Sequence, residues 1–213
     1  MDQPEIWTTD WLLRDSKNIH LEKLAVGSEE RRLRRKDFIW PICNYLPVDP
    51  AQAPIRAWDR GISRQDRMVS LPDFFTIAGG LPCVTQKARE LLERFDIGDS
   101  LFFEVLFSVN RDFDVAGGPY FFFNMTCQKS GTVLPDQSPL RKMESGRWQP
   151  DSYGAGSHEG YTVNASSQEG CDIWGDPVLI KTVFLSPSLA SAIRDARLTG
   201  RRLFPCKLNA NPV

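Results

Sequence analysis

The clearest pattern in the chain is a helical spacing of apolar residues that begins near residue 84. Apolar side chains recur at i, i+4, i+7, i+8 and i+11, which places them on one face of a helix. These positions are Val84, Ala88, Leu91, Leu92 and Phe95. Thr85 is a residue type that caps helix N-termini, and Gly98 is one that ends helices. The spacing therefore predicts an amphipathic helix between Thr85 and Gly98.

Two apolar stretches after this helix predict paired strands. Residues 101–109 read LFFEVLFSV and are too apolar for a surface edge, so they predict a buried strand. Residues 121–125 predict its antiparallel neighbour. The glycines and the proline within 114–119 predict the turn between the two strands.

A similar order of elements recurs near the C-terminus. Residues 180–185 predict a strand, and Ser186 is a cap followed by Pro187 at the first helical position. The helical spacing, the glycine stop and a last strand then follow at Leu189, Ala192, Ile193, Ala196, Gly200 and 202–208. The repeat is open to two interpretations, an old duplication or two independent units packed on one sheet. We favour the second as the simpler.

The first 70 residues carry weaker signals. Pro41 restricts the apolar residues 38–42 to a sheet edge or a loop, and the proline-rich residues 47–54 predict irregular structure. Overall the chain predicts an α+β fold, with a mostly antiparallel sheet flanked by at least two amphipathic helices. We expect one domain, in which residues 1–70 pack on a main unit at 71–213.

The segment between Cys127 and Cys171 is rich in Gly, Ser, Pro and Gln. We predict a functional or flexible loop here, with one short strand at 161–164, because unstructured connections of this length are uncommon otherwise. Large aromatic residues on such a loop are typical of a recognition surface. The candidate partner-binding residues are Trp148, Tyr153, His158 and Tyr161. An equally good interpretation is that these side chains anchor the loop to the core.

Composition and charge exclude several classes of protein. The 213 residues have a formal net charge of −1, which gives no overall attraction to nucleic acid or to an anionic membrane. No apolar run approaches the roughly 18 residues of a membrane-spanning helix. The N-terminal residues lack the basic-then-apolar order of a signal peptide. We expect a cytoplasmic protein that does not bind a membrane.

The five cysteines do not form a recognisable metal or disulfide pattern. Their number is odd, none belongs to a CxxC pair, and neither histidine has a cysteine at zinc-ligand spacing. We therefore expect reduced, mostly buried thiols and neither a metal site nor a cofactor.

Catalytic motifs are equally sparse. The chain contains two histidines, no G-x-S-x-G elbow and no phosphate-binding glycine loop. A Cys–His dyad between His158 and Cys171 stays open, because such pairs meet in space rather than in sequence. The basic run Arg31 to Lys36 is the only concentrated charge. We interpret it as a solvated face, with contact to nucleic acid or to an acidic partner protein as alternatives.

Several segments resemble the bacterial immunity-protein family numbered eleven of polymorphic toxin systems. The resembling blocks are 72–81 with the helix start after it, the aromatic strand 120–124, and 172–177 with 183–186, 198–200 and 204–205. Together they cover about 71–126 and 171–208, whereas 126–138 departs from the family pattern and 1–70 shows little likeness. The matching motifs are caps, turns and core positions, so the resemblance carries over a fold family and no catalytic residue.

The resemblance implies an immunity protein that binds and neutralises a cognate toxin through protein–protein contact, with no enzymatic activity. One alternative is a hydrolase-like enzyme that reverses a toxin's modification, using His158 or a cysteine. The other is a nucleic-acid binder that uses Arg31 to Lys36. The sequence leaves the oligomeric state open.

Overall fold

The computed structural model describes residues 5–13, 23–26, 31–32, 39–53, 56–59, 71–77, 80–109, 113–114, 118–151 and 159–209. Within these ranges the α-helices are α1 (Ile39–Cys43), α2 (Gln86–Leu92) and α3 (Pro187–Asp195). The strands in chain order are β1 (Trp7–Thr9), β2 (Lys23–Val26), β3 (Arg31–Arg32), β4 (Arg56–Asp59), β5 (Phe74–Ile77), β6 (Leu81–Thr85), β7 (Leu101–Val109), β8 (Phe113–Asp114), β9 (Tyr120–Asn124), β10 (Leu140–Lys142), β11 (Trp148–Pro150), β12 (Thr162–Asn164), β13 (Ile173–Trp174), β14 (Val183–Leu185), β15 (Leu203–Pro205) and β16 (Lys207–Asn209).

The largest sheet runs in the order β3-β2-β4-β7-β9-β6-β5, and β8 pairs with one end of β7. Its neighbours are antiparallel except for the parallel pair β4 and β7. Strand β7 has the predicted bounds, and β9 is its antiparallel neighbour as predicted. The predicted class, α+β with a mostly antiparallel sheet flanked by helices, is confirmed.

Both helical units are confirmed as elements, but they lie on two different sheets. Strands β6 and β7 flank β9 in the large sheet, whereas β14 and β15 flank β1 in a four-stranded sheet of order β13-β14-β1-β15. The prediction of one shared sheet is therefore wrong. In each sheet the strand between the two strands of the unit lies outside that unit: it is β9 in the large sheet and β1 in the four-stranded sheet. Strand β1 has three residues, which are too few to show a strand pattern in the sequence. The two helices contact each other and so join the two sheets.

The helix starts follow the predicted capping chemistry. Thr85 Oγ1 accepts the amide of Ala88 at 3.4 Å, and Ser186 Oγ accepts the amide of Leu189 at 3.2 Å. Helix α2 ends at Leu92, before the predicted stop at Gly98. Gly98 has a φ of +59° in the turn that follows, a conformation that favours glycine.

Strand β9 has both faces buried, which explains its continuous aromatic run. Phe121 and Phe123 belong to the core under α2 and α3, where Trp11 stacks on Phe123 with ring centroids 6.0 Å apart. Phe122 and Tyr120 belong to a second core on the opposite face. A third core lies around the C-terminal strands and contains Ile6, Tyr161, Trp174, Leu179 and Phe184.

Helix α1 overturns the prediction that Pro41 confines its neighbours to an edge or loop. The proline is the third residue of a five-residue helix, where the missing amide hydrogen has no intrahelical partner to lose. Ile42 of this helix is buried in the second core. The predicted irregular stretch after it contains a short 3-10 helix at Pro50–Gln52.

The segment between Cys127 and Cys171 holds more structure than the predicted loop. Strands β10 and β11 form a hairpin, and β12, at the predicted position, pairs in parallel with β16. Cys127 and Cys171 form a disulfide with their Cα atoms 6.7 Å apart. The expectation of reduced thiols is therefore wrong for these two cysteines. The sequence does not show that two residues 44 positions apart lie close together in the fold. Cys83 and Cys206 are buried thiols outside any disulfide, as expected, and Cys43 is a half-buried thiol that is not disulfide-bonded either.

No helix within the described residues has the length and apolar content needed to cross a bilayer.

Candidate partner-binding surface

The exposed large apolar side chains of the described residues lie in two places. Leu101 and Leu106 lie on β7. The others are carried by α1, by the chain just after it, and by the turn before β14, and they are Trp40, Leu46 and Val178. Hydrogen bonds link the backbone segments that carry these three residues.

Arg147 connects the pieces of this surface. Its Nη1 donates to Asn44 Oδ1 at 2.6 Å, and its Nη2 donates to the carbonyl of Leu179 at 2.8 Å. Asn44 Nδ2 in turn donates to the carbonyl of Trp40 at 2.7 Å. One planar guanidinium thus bridges the end of α1 and the 178–179 turn, as its fork of donors permits. We call Trp40, Asn44, Leu46, Arg147, Trp148 and Val178 the Arg147 surface.

Tyr45 holds the chain just after α1 in place through two hydrogen bonds. Its hydroxyl donates to the carbonyl of Thr182 at 2.7 Å, and its own carbonyl accepts Gln128 Nε2 at 3.0 Å. The ring lies against Gly175, where an added Cβ would approach it to 2.4 Å. Burial raises the pKa of the Tyr45 phenol, so the hydroxyl stays protonated as a donor. These contacts hold a backbone φ of +58°, which non-glycine residues rarely adopt.

Asp176 fixes the turn that presents Val178. Its two carboxylate oxygens accept the amides of Val178 and Val133, each at 3.1 Å. Its own carbonyl accepts the amide of Leu179 at 2.9 Å. Burial raises the pKa of Asp176, while the amide donors act in the opposite direction. The turn is therefore defined before any partner binds.

Trp148 lies at the margin of the surface, on strand β11. Its amide donates to the carbonyl of Val178 at 2.7 Å, and its carbonyl accepts the amide of Ile180 at 3.0 Å. The side chain is half-buried against the third core, and Lys142 Nζ lies 5.8 Å from its ring centroid. This predicted contact residue therefore anchors the hairpin and also borders the surface.

Charges of both signs flank the segments that form the Arg147 surface. Across 40–49, 140–151 and 176–182 the exposed basic residues are Arg141, Lys142 and Lys181, and the exposed acidic residues are Asp49, Glu144 and Asp151. Asp176 is fully buried. Neither sign of charge predominates among the exposed residues.

Comparison with protein families matches residues 46–207 to the immunity protein family Imm11. The chain belongs to the Imm11 immunity protein family. The match confirms the resemblance seen in 71–126 and 171–208. It also runs through 127–170 and starts within the N-terminal 70 residues, where the sequence had shown little likeness. A comparison with curated proteins finds no match.

The Imm11 match covers Leu46, Arg147, Trp148 and Val178, whereas Trp40 and Asn44 precede it. Sequence reasoning missed Asn44, Arg147 and Val178, because their roles depend on contacts over 32 and 103 residues. Trp40 carried a weak signal, as a tryptophan inside an apolar run beside a proline.

The other predicted contact residues of the Imm11 chain lie elsewhere. Tyr161 has no exposed surface and packs in the third core, in line with the anchoring interpretation. Tyr153 and His158 lie outside the described residues. Of the basic run, Arg31 and Arg32 form β3 against β2, and residues 33–36 lie outside the described residues.

The described part of the Imm11 chain offers little for catalysis. It contains no group of three or more His, Cys, Asp or Glu residues placed to hold a metal ion. The dyad of His158 and Cys171, which the sequence left open, does not form in this structure, because the Cys171 sulfur is bonded to Cys127. Burial raises the pKa of the Cys206 thiol to about 12 and raises that of Cys83 as well. Neither of these buried thiols supplies a thiolate at neutral pH.

A second polar cluster beside the disulfide has a structural role. Lys129 Nζ donates to the carbonyls of Ser167 and Cys171 at 2.9 and 2.8 Å and lies 3.5 Å from the centroid of the Trp174 ring. Burial lowers the pKa of Lys129 to about 8, against the opposing effect of the Asp172 and Asp96 carboxylates. The Lys129 ammonium group thus links the two ends of the 127–171 segment by hydrogen bonds.

Proposed function

We propose that this Imm11 protein binds a cognate bacterial toxin and neutralises it by protein–protein contact, without catalysis of its own. Family membership supplies the class of partner. The observation that carries the binding mode is the exposed Trp40, whose backbone is tied through Asn44 to Arg147. Tryptophan and arginine are the residue types that most often dominate the energy of protein interfaces.

The chemistry of the described residues supports binding over catalysis. Arg147 and Asp176 use their hydrogen bonds to hold backbone segments. Lys129 uses two of its donors in the same way. A hydrolase reversing a toxin modification, or a nucleic-acid binder using Arg31 to Lys36, gains no comparable support.

The proposed location is the cytoplasm of the bacterium that makes the toxin. A reducing cytoplasm disfavours disulfides, so the Cys127–Cys171 bond acts against this part of the proposal. Trapping thiols in living cells with a maleimide, before lysis, measures the two cysteines where the protein works. A fully oxidised pair would contradict a reducing compartment.

The function is tested by producing the tagged chain together with the toxin encoded by the neighbouring gene. We expect the two proteins to co-elute in size-exclusion chromatography, and we expect cells that produce both to survive. Protection without a complex would contradict the binding mechanism. It would direct attention to His158, whose change to alanine would then abolish protection.

A further inference from the structure

We infer that the Cys127–Cys171 pair is a site of reversible thiol–disulfide exchange, which a dithiol reductant opens while the rest of the fold stays closed. This inference goes beyond the proposed function and does not depend on toxin binding. It gives the protein two folded covalent states, one with the disulfide and one with two thiols. In a reducing compartment we expect the state with two thiols to be populated.

The disulfide lies where a reductant can approach it. Cys127 and Cys171 are both half-buried, and the neighbouring Gln128 and Gly170 are exposed. Gly98 is exposed as well, and a Cβ added to it would lie 3.3 Å from Cys171 Sγ and 3.8 Å from Cys127 Sγ. Because Gly98 has no side chain, there is room on this side of the two sulfur atoms. Exchange needs such access, since a thiolate must reach one of the sulfur atoms directly.

Hydrogen bonds hold the two disulfide-linked segments together without the sulfur atoms. The Gly175 amide donates to the carbonyl of Cys127, and the Lys129 amide donates to the carbonyl of Gly175, each at 3.0 Å. Lys129 Nζ donates to the carbonyls of Ser167 and Cys171 at 2.9 and 2.8 Å. None of these four bonds requires the disulfide, so we expect the segments to stay side by side when it opens.

The residue after Cys171 is fixed independently as well. The Asp172 amide donates to the carbonyl of Asp96 at 2.6 Å, and the Asp96 amide donates to Asp172 Oδ2 at 2.9 Å. The Ser186 amide donates to the Asp172 carbonyl at 2.8 Å. The backbone beside Cys171 is thus bonded to the turn after α2 and to the start of α3. Opening the disulfide therefore frees two sulfur atoms and leaves their backbone in place.

The opening reaction balances with a dithiol as the co-reactant. One thiolate of the dithiol attacks one sulfur of the pair, forms a mixed disulfide and releases the other cysteine as a thiolate, which takes up a proton. The second thiol of the reductant then attacks the mixed disulfide and releases the remaining cysteine. Two electrons and two protons pass to the protein, and the reductant leaves as its own disulfide.

The closing reaction is favoured by the folded chain. The cysteines are 44 positions apart in the sequence, but their Cα atoms are 6.7 Å apart in the structure. In an unfolded chain the two thiols meet by diffusion of the connecting segment, whereas the hydrogen bonds at Lys129 and Gly175 keep them close in the folded chain. Their effective concentration is therefore higher in the folded state.

The opening is tested by titrating the folded full chain with mixtures of reduced and oxidised dithiothreitol. Each sample is quenched with acid, denatured, labelled with a maleimide and counted by mass spectrometry, and its circular dichroism is recorded before the quench. The chain has five cysteines, three of them outside the disulfide, so we expect the labelled thiols to rise from three to five. The far-UV spectrum should not change across this transition.

The closing is tested by adding oxidised glutathione to the reduced chain, once in buffer and once in urea. Peptide mapping identifies the bond that forms. We expect the Cys127–Cys171 bond to form roughly tenfold faster or more in buffer, because the fold holds the two thiols close.

The contribution of Lys129 is tested with Lys129→Met, which keeps the length of the side chain and removes its two hydrogen bonds. We expect this variant to close the bond about threefold more slowly or less in buffer. The matched control is Lys142→Met, at an exposed lysine of the same segment, which should close at the wild-type rate. The comparison of buffer with urea uses the wild type and does not depend on the folding of either variant.

The results that overturn the inference are distinct. Loss of the circular dichroism signal on reduction would make the bond a requirement of the fold rather than an exchange site. Resistance of the folded chain to every dithiothreitol mixture would show that a reductant does not reach the bond. Equal closing rates in buffer and in urea would show that the fold does not hold the thiols together. Equal rates for the two lysine variants would exclude Lys129 from the mechanism. Toxin is absent from all of these measurements, so their failure leaves the proposed function unchanged.

Discussion

Asp73 binds Thr199 twice through one carboxylate oxygen. The Thr199 amide and hydroxyl lie 2.8 and 2.9 Å from Asp73 Oδ2, while Oδ1 accepts the hydroxyl of Thr85 at 2.8 Å. Thr85 caps α2, and Thr199 follows α3. A single carboxylate therefore connects the two strand–helix–strand units that the sequence shows as a repeat.

Replacing this carboxylate should loosen the junction between the two units. We expect Asp73→Ala to lower the free energy of unfolding by about 1–3 kcal/mol, because it removes acceptors from three donors. Urea unfolding followed by tryptophan fluorescence measures the change. Asp99→Ala, at an exposed turn position, is the matched control and should leave the midpoint unchanged.

The disulfide should contribute strongly to stability because it closes a long segment. For a separation of 44 residues, the chain-entropy model gives roughly 4 kcal/mol as its effect on the unfolded state. Calorimetry with and without a phosphine reductant should show a lower melting temperature for the reduced protein. The double variant Cys127→Ser/Cys171→Ser should melt at the lower temperature in both conditions. A reductant effect that persists in that variant would assign it to other cysteines.

Lys129 should make stability depend on pH in the alkaline range. Its folded pKa of about 8 lies below the ordinary 10.5, so between these values the unfolded chain binds more protons than the folded one. The free energy of unfolding therefore rises with pH across that window, and at lower pH the folded state carries a desolvated charge. The variant Lys129→Met lacks this titration. Urea unfolding from pH 7.5 to 10.5 measures the free energy of unfolding of both proteins. The value for the wild type minus that for Lys129→Met should increase as the pH rises. A flat or falling difference would show that burial does not dominate.

The first 70 residues should be required for folding of the rest. We expect a chain shortened to residues 71–213 to lose cooperative unfolding, because β14 and β15 then lose β1 and the large sheet loses β4 beside β7. Thermal unfolding monitored by circular dichroism tests this expectation. A cooperative transition in the shortened chain would make 71–213 a domain in its own right.

The elements that the sequence predicted well are those fixed by local chemistry. Thr85 and Ser186 cap their helices as expected, since capping involves residues three positions apart. The apolar run 101–109 correctly predicted where β7 begins and ends. Sheet membership was predicted less well, because β1 pairs with strands at the other end of the chain.

The candidate surface was the hardest part to predict. Trp148 was selected for its type and lies at the margin, whereas Tyr161 was selected for the same reason and is fully buried. Aromatic residues in a polar segment serve cores and interfaces equally well, and only the three-dimensional position separates the two uses. Nothing in the sequence marked Arg147, because its role depends on two oxygen atoms of distant residues. These are the side-chain oxygen of Asn44 and the carbonyl oxygen of Leu179.

The central place of β1 in the four-stranded sheet also sets an order of events during synthesis. Thr8 lies on β1 and hydrogen-bonds to Val183, 175 residues later in the chain. At about 5–20 residues per second, the ribosome takes roughly 10–35 s to make the residues between them. Strand β1 therefore leaves the ribosome long before β14 and β15, and until those strands are made its backbone groups must find other partners. A nascent chain of this protein would rely on its large sheet, or on a chaperone, until β14 and β15 arrive.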